Sequence, residues 1–384
     1  MKILLVGEYS RLHNSLKEGL LALGHEVTLI STGDHFKGYP SDILLKRPFN
    51  TGLLRKMKIG IYRIFGTDIT SLSVKYQFFK NKERLKGFDV VQLINESPFD
   101  AMPRHEIVMI RFLKAHNNSL FLLSCGNDYL QVQYLLKNTN KYSILKEYLS
   151  NEVPAQVYEY VLKYVTPSFQ QLHECVFKHI EGVIASDLDY HIPLKDHPNY
   201  LGLIPNPINT DTITPIEPEI HEKIIIFLGI NRKNYHTKGI KYFEEAIAIL
   251  EQNYGDEIQI SIAENLPYNV YINTYNKAHI VFDQVLSMDQ GYNALEAMAK
   301  GKVVFTGAED EFLTKYNLQE DEVCINALPD AEAIVSKVIY LLNNKNKIKE
   351  IGNNARLFIE REHDYKTISK RFVAIWKNEV TPKG

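Results

Sequence analysis

The chain has 384 residues, 45% of them hydrophobic and 23% charged, with a formal net charge of −2. That length exceeds one ordinary domain, so two domains of about 150–200 residues are expected, and the near-neutral balance excludes a global pull towards nucleic acid, leaving any basic patch local. Three scattered cysteines, Cys125, Cys175 and Cys324, show no CxxC or metal spacing and point to a reducing compartment.

The opening MKILLVGEYS is too short for a signal-peptide core, and no run of about 18 apolar residues exists to span a membrane, so a cytoplasmic location is expected. Lys2 to Val6 is a continuous apolar run, as a strand buried on both faces requires. It ends in Gly7-Glu8-Tyr9-Ser10. Leu16, Leu20 and Leu23 then mark one helical face, Gly24 stops it, and Val27 to Ile30 makes the next strand. This βαβ unit implies a parallel, doubly wound sheet whose first loop, with Gly7 and Glu8, is the ligand-facing edge. No GxGxxG follows, which argues against a dinucleotide.

Residues 41–88 set eleven Lys and Arg against three acids, with Leu53, Leu54, Met57, Ile59, Ile61, Ile64 and Phe65 interleaved. The segment reads either as a solvated basic face or as an interfacial stretch that meets anionic lipid or a phosphate-bearing acceptor. Asp89 to Ile94 is a strand, Ile107 to Ala115 a helix, and Leu120 to Ser124 a strand running into Cys125-Gly126-Asn127-Asp128. Gly-Asn-Asp at a strand end is both a place for working groups and ordinary turn chemistry. Residues 129–181 look mostly helical, Gly182 to Ser186 is a strand, and Leu201 to Asn209 is a strand with a Pro/Asn turn. Residues 210–222 carry two prolines and little periodicity, as an interdomain connection would.

The second half begins with a buried strand, Lys223 to Gly229, and a loop with Asn231, Arg232, Lys238 and Gly239. Ile240, Phe243, Ile247 and Leu250 share one helical face. Ile258 to Ile262 is a strand, Pro267 to Asn276 a helix, and Ala278 to Phe282 a strand. The stretch DQVLSMDQGYNALEAMAKGKVV, residues 283–304, leads into the strand Val303 to Phe305. Helices are expected at Ala331 to Asn343, Lys345 to Glu362 and about Tyr365 to Glu379, the last holding the only tryptophan, Trp376. The expected domains are 1–210 and 211–364, with 365–384 a terminal helix.

Two constellations carry chemistry. Glu296 stands at the head of a helical run behind Gly291, where an acid can receive hydroxyl groups while free backbone N–H groups face phosphate. Arg232 and Lys238, six residues apart between a strand and a helix, offer a fork and a point charge to a pyrophosphate. Either alone is also what an ordinary loop carries. Together, on one edge of one sheet, they describe a nucleotide-diphosphate site.

On these residues the second half resembles glycosyltransferase family 4. FLGINRKNYHTKGIKYFEEAI is similar to that family's Gly-x-Arg…Lys-Gly motif, GYNALEAMAKGKVVF to its Gly…Glu-Ala-Met-Ala motif, and IPNPIN at 204–209 to its Pro-Asn turn, with Pro207 in place of Gly. The first half matches in its opening βαβ and in Gly126-x-Asp128. The resemblance implies the GT-B fold: two Rossmann-like α/β domains with parallel sheets facing across a cleft, the terminal helix returning to the first. It implies a donor site of Gly7, Gly229, Asn231, Arg232, Lys238, Gly291, Tyr292, Asn293 and Glu296. It further implies a retaining, metal-independent transfer in which Arg232 and Lys238 neutralise the leaving diphosphate, and no acidic metal pair is found. Asp128 and Glu8, with His13 behind them, are the candidates to orient or deprotonate the acceptor. The family's paired acids place one eight residues before Glu296, and this chain has Met288 there. The expected partners are a nucleotide-sugar donor and a saccharide or lipid-linked glycan acceptor in surface polysaccharide assembly. Membrane contact would run through 41–88, at the inner face of the cell membrane, and no nucleic acid is expected. Two alternatives stay open: a nucleotide-sugar epimerase of the same fold, and a catalytically silent nucleotide-sugar binder.

Overall fold

The computed structural model describes residues 1–34, 38–137, 143–217, 220, 222–264 and 268–378. Among the described residues twelve strands, all paired in parallel, form two sheets. The first holds β1 (Lys2–Val6), β2 (Glu26–Ser31), β3 (Ile43–Leu44), β4 (Val90–Leu93), β5 (Ser119–Ser124), β6 (Gly182–Ala185) and β7 (Tyr200–Leu203), in the order β3-β2-β1-β4-β5-β6-β7. The second holds β8 (Ile224–Ile230), β9 (Ile258–Glu264), β10 (Ile280–Phe282), β11 (Val303–Thr306) and β12 (Ile325–Asn326), in the order β12-β11-β10-β8-β9.

The continuous apolar runs explain these sheets. Every residue of β4, β6, β10 and β11 is buried, as strands covered by helices on both faces must be. In each sheet the winding reverses once, between β1 and β4 and between β8 and β10. In open α/β sheets, ligands bind outside the strand ends at such a reversal.

Two compact units result. One comprises residues 1–134, 159–207 and the chain from Tyr365; the other comprises 135–158 and 208–364. The stretch 135–158 thus packs with the second sheet, although it lies within the first half of the sequence. Buried Glu147 anchors it there, paired with His236 and, at 2.9 Å, with Lys241. The connector is stitched to the same unit: Arg356 Nη1 donates to the carbonyls of Ile213 and Ala299 at 2.7 and 2.8 Å.

In the second unit the helix Ile240–Tyr254 buries Ile240, Phe243, Ile247 and Leu250 against the sheet. Phe243 stacks on Phe282 at 4.6 Å, and Phe282 meets Phe305 edge-on at 5.0 Å. In the first unit the terminal helix Tyr365–Trp376 lies on the helix Leu12–Ala22, and the Trp376 indole N–H donates to Gln92 of β4 at 3.0 Å. Residues 41–88 contain two helices, Gly52–Phe65 and Ile69–Lys80, that the sequence pattern left unassigned. β3 and β12 escaped it too, since two residues show no period. Pro267 and Glu379, the expected limits of two helices, lie outside the described residues, as do parts of 129–181 and 210–222.

The contact between the two helices of the first unit depends on Gly19. A Cβ there would stand 2.2 Å from Ser369 Oγ and 2.4 Å from the Tyr365 carbonyl oxygen, and the latter cannot rotate away. Overpacking of this kind costs about 1–3 kcal/mol. Gly19→Ala is therefore expected to lower the thermal unfolding midpoint by several degrees, while Gly60→Ala, with open space around it, leaves the midpoint unchanged or higher. Calorimetry on both variants checks this.

Candidate functional site

At the second reversal, β8 ends at Ile230 and Asn231 caps a short turn, its Oδ1 accepting the Lys233 N–H at 3.1 Å. The turn delivers Lys238 to the end of β10, where its Nζ donates to Asp283 Oδ1 at 2.7 Å. Asp283 is 7% exposed, and its Oδ2 has no hydrogen-bond partner among the described residues. Gly239 makes the approach possible: it is left-handed, and a Cβ there would come within 3.1 Å of Val285. The Val285 N–H closes the contact on the Lys238 carbonyl at 2.9 Å.

The loop 283–291 is knitted from within. Gln284 Nε2 donates to Ser287 Oγ at 2.7 Å, Ser287 Oγ to the Asp289 carbonyl at 2.8 Å, and Gln290 Nε2 to the Gly307 carbonyl at 2.8 Å. Gly307, just past β11, has no room for a side chain: its Cβ would lie 2.4 Å from the Ser287 carbonyl oxygen. The loop ends at Gly291, where the helix Tyr292–Ala299 starts with no side chain capping it. Its first amides are left by helix geometry without an intrahelical acceptor. Gly291 stands beside Gln284, so this helix end and the Lys238–Asp283 pair occupy adjoining loops. Of the other expected donor residues, Gly229 is half-buried, Tyr292 buried and Asn293 exposed.

Two expectations need correction. Glu296 stands in the second turn of its helix, and no acid lies in the first. Helical side chains lean towards the N-terminus, so its half-buried carboxylate is still carried back over the turn that holds Tyr292 and Asn293. Arg232 does not share a target with Lys238. Its Nε and Nη2 donate to the two oxygens of Glu264 at 2.7 Å each, and its Nη1 lies 3.6 Å from Glu244 Oε1. Glu264 ends β9, which flanks β8 on the side away from β10. A guanidinium fork fits a carboxylate's paired oxygens, and the nearest carboxylate is on that side. Arg232 is nonetheless 53% exposed at its side chain.

At the first reversal, Gly7 is left-handed, and a Cβ would lie 2.4 Å from Ile94 Cγ2. Glu8 follows, buried. Its Oε2 accepts from the Asn14 N–H at 2.8 Å and from Asn14 Nδ2 at 2.6 Å, while Oε1 has no partner among the described residues. Burial pushes its pKa up to about 8. His13 donates Nδ1–H to the Gly7 carbonyl at 2.8 Å, and burial lowers its pKa to about 3, so the ring is neutral. Asp128 is committed inwards: Oδ1 accepts the Gln131 N–H at 2.8 Å and Oδ2 accepts the Ser124 hydroxyl. Burial, then the nearby Glu96, raises its pKa to about 7.

Four residues of these edges were not singled out by sequence for the roles they take: Glu264 as the partner of Arg232, Asp283 as that of Lys238, Gly307, and buried Glu96, whose Oε1 pairs with His173 at 2.7 Å. Each sits at or just beyond a strand's last apolar residue, which was the available signal.

Residues 232–374 match a family model described as "Glycosyl transferase-like". No curated protein matches the chain. Among solved structures, sucrose-phosphate synthase from Thermosynechococcus elongatus is similar with a TM-score of 0.61 at 13% identity, over 99% of each chain. HepE from Anabaena, solved with UDP and glucose, gives 0.59 at 10% identity, over 98% of this chain and 99% of that one. A putative UDP-N-acetylglucosamine 2-epimerase from Listeria monocytogenes gives 0.50 at 12% identity, over 100% of this chain and 98% of that one. At such identities the likeness is one of fold: two α/β units with parallel sheets, as in GT-B glycosyltransferase structures.

Glu8 supplies a test of the first edge. A carboxyl whose pKa rises from 4.5 unfolded to about 8 folded binds more protons folded than unfolded between those values. Stability is then lost as pH climbs through that window and levels off above it. Urea unfolding at pH 5 and pH 8 should show wild type losing ground to Glu8→Gln by up to about 1.4 kcal/mol per pH unit. A difference between the two proteins that does not change with pH would mean that Glu8 is ionised throughout.

Proposed function

We propose that the chain is a glycosyltransferase that takes a sugar from a nucleoside-diphosphate donor and passes it, with retention, to a saccharide or lipid-linked glycan. The observation that carries this reading is the Lys238 ammonium, held by Asp283, in the loop adjoining an uncapped helix N-terminus at a sheet reversal. Both lie inside the residues that match the family model. HepE's bound UDP and glucose make a uridine nucleotide the first donor to try.

Cleaving a sugar–phosphate bond leaves negative charge on the diphosphate, so the main demand is preorganised positive charge where that anion forms. Lys238 and the helix N-terminus at Gly291 supply it without rearrangement. Arg232 adds its fork by turning from Glu264 to the diphosphate, for which its exposure leaves room. Glu296 accepts from the ribose hydroxyls. The glycosidic bond then ionises towards an oxocarbenium ion, and the acceptor hydroxyl attacks the face the diphosphate leaves. These charges belong to the chain, and no divalent ion is part of the proposal. On the acceptor side Glu8 is preferred to Asp128: one Glu8 oxygen is uncommitted, and a pKa of about 8 suits a base working near neutrality.

Met288 favours a second reading. A thioether is a weak acceptor and brings no charge where the resembling family has an acid. A protein that binds the donor without transferring it fits that substitution.

Calorimetry with UDP and UDP-sugars separates these readings. Arg232→Ala is the clean variant, since it leaves no buried charge unpaired, and it should weaken donor binding by about 10- to 100-fold, the usual worth of a charged hydrogen bond. Unchanged affinity would remove the diphosphate role. Glu296→Ala with a full transfer rate would remove the ribose role, and tight binding with neither transfer nor hydrolysis would select the silent binder.

A further inference from the structure

None of the 14 residues of the helix Gly52–Phe65 is buried. Surface helices ordinarily bury an apolar stripe against a core. Here the stripe is present and uncovered: Leu53, Ile64 and Phe65 are 81%, 75% and 70% exposed, with Leu54 and Met57 exposed beside them. At 3.6 residues per turn, Leu53, Met57, Ile61 and Ile64 fall within an arc of roughly 80°, and Leu54 and Phe65 border it. Lys56 and Arg63 stand roughly 100° to one side of that arc and Lys58 about as far to the other. Residues 51–66 contain no acid.

The helix is held at its C-terminal end and, midway, at Lys58. Arg104 Nη2 donates to the Gly66 carbonyl at 3.3 Å and to Thr67 Oγ1 at 3.0 Å, while Lys58 reaches Asn50 Oδ1 at 3.0 Å and lies 3.6 Å from Asp68 Oδ1. Arg55, Lys56 and Arg63 have no ion-pair or hydrogen-bond partner among the described residues. Exposed apolar patches bordered by charge mark interaction sites. A nucleic acid would use the cations and leave the aliphatic stripe wet. A peptide helix needs a groove, and a single convex helix offers none. A bilayer whose surface is anionic uses both features, with hydrocarbon below and headgroup phosphate at the flanks. Spanning is excluded, since 14 residues make about 21 Å of helix against a core of about 30 Å. Among the described residues no helix is long and apolar enough to cross a membrane.

We propose that the helix Gly52–Phe65 docks this protein on anionic lipid bilayers, lying in the interface with Leu53, Met57, Ile61 and Ile64 in the acyl boundary and Lys56 and Arg63 at the headgroups. The inference stands on the helix alone and not on the transferase reading. The full chain is floated with phosphatidylcholine vesicles, with and without phosphatidylglycerol, at low and high salt. It should float with the anionic vesicles, stay behind with the neutral ones, and be released by salt, which screens the cationic share of the attraction. The double variant Leu53→Glu, Ile64→Glu should lose at least about tenfold in partitioning, since it places charge where acyl chains must be met. Lys56→Glu with Arg63→Glu should abolish the preference for phosphatidylglycerol. All four positions are exposed, so unchanged circular dichroism is expected and confirms that folding is intact. No flotation with anionic vesicles, equal flotation of the Leu53→Glu, Ile64→Glu variant, or retention of nucleic acid without lipid binding would each overturn the proposal. Donor calorimetry on the same preparations keeps this outcome separate from that of the transferase reading.

Discussion

The donor edge is organised around one ion pair at the turning point of the second sheet. Lys238 and Asp283 meet because β8 and β10 are neighbours in space while β9 lies on the far side of β8. Burying a carboxylate with one oxygen unmatched is expensive, and natural chains keep such groups mainly where their charge has work to perform. The surroundings suit that view. Gly239 lets the two loops touch, Gly307 lets the second press onto β11, two side chains stitch that loop internally, and Gln290 ties it to Gly307. A cation fixed this way loses little further entropy when an anion arrives, which is the benefit of preorganisation.

The first edge shows how burial alone can produce similar pKa values with different meanings. Glu106 and Asp128 are both raised to about 7 by burial, and both are engaged by their own neighbourhood. Glu106 Oε1 accepts from Ser97 Oγ and from the amides of Phe99 and Ala101, shaping the loop after β4. Asp128 gathers the Ser124 hydroxyl and the Gln131 amide. Glu8 and Glu106 each leave one oxygen without a partner among the described residues, but Glu106 sits on the helix Pro103–His116 while Glu8 stands just beyond the end of β1. The distinction that matters for chemistry is therefore an open acceptor atom at the strand end, and a perturbed pKa without one is a sign of packing.

The sheets were legible because a parallel strand covered on both faces must be apolar throughout, and runs such as Ile224–Ile230 and Val303–Thr306 admit no other reading at that length. Helices with a buried stripe were legible for the same kind of reason: the bounds Ala331–Asn343 and Lys345–Glu362 agree with the periodicity. Where the pattern failed, the missing information was not local. The pairing of Arg232 with Glu264 depends on β9 lying beside β8, a neighbour relation that spacing along the chain cannot express. The packing of 135–158 with the second unit rests on a few long-range contacts through Glu147. Glu296 was placed one turn early because Gly291, and not a residue further on, turned out to be the cap.

The chain's formal charge of −2 conceals two kinds of cation. Lys238 and Arg232 are each held by a carboxylate within hydrogen-bond distance, so their positions are defined and their fields are largely cancelled beyond the site. Arg55, Lys56 and Arg63 have no such partners, and their charge extends into solvent to about a Debye length. Positional definition is what a single small anion requires of a binding group, because the gain falls steeply with misplacement. A surface of many mobile anions requires the opposite: unpaired charge on flexible stems, above an apolar stripe that fixes depth and not register. The sequence spends its acids accordingly, placing Asp283 and Glu264 against the first kind and none within 51–66 against the second.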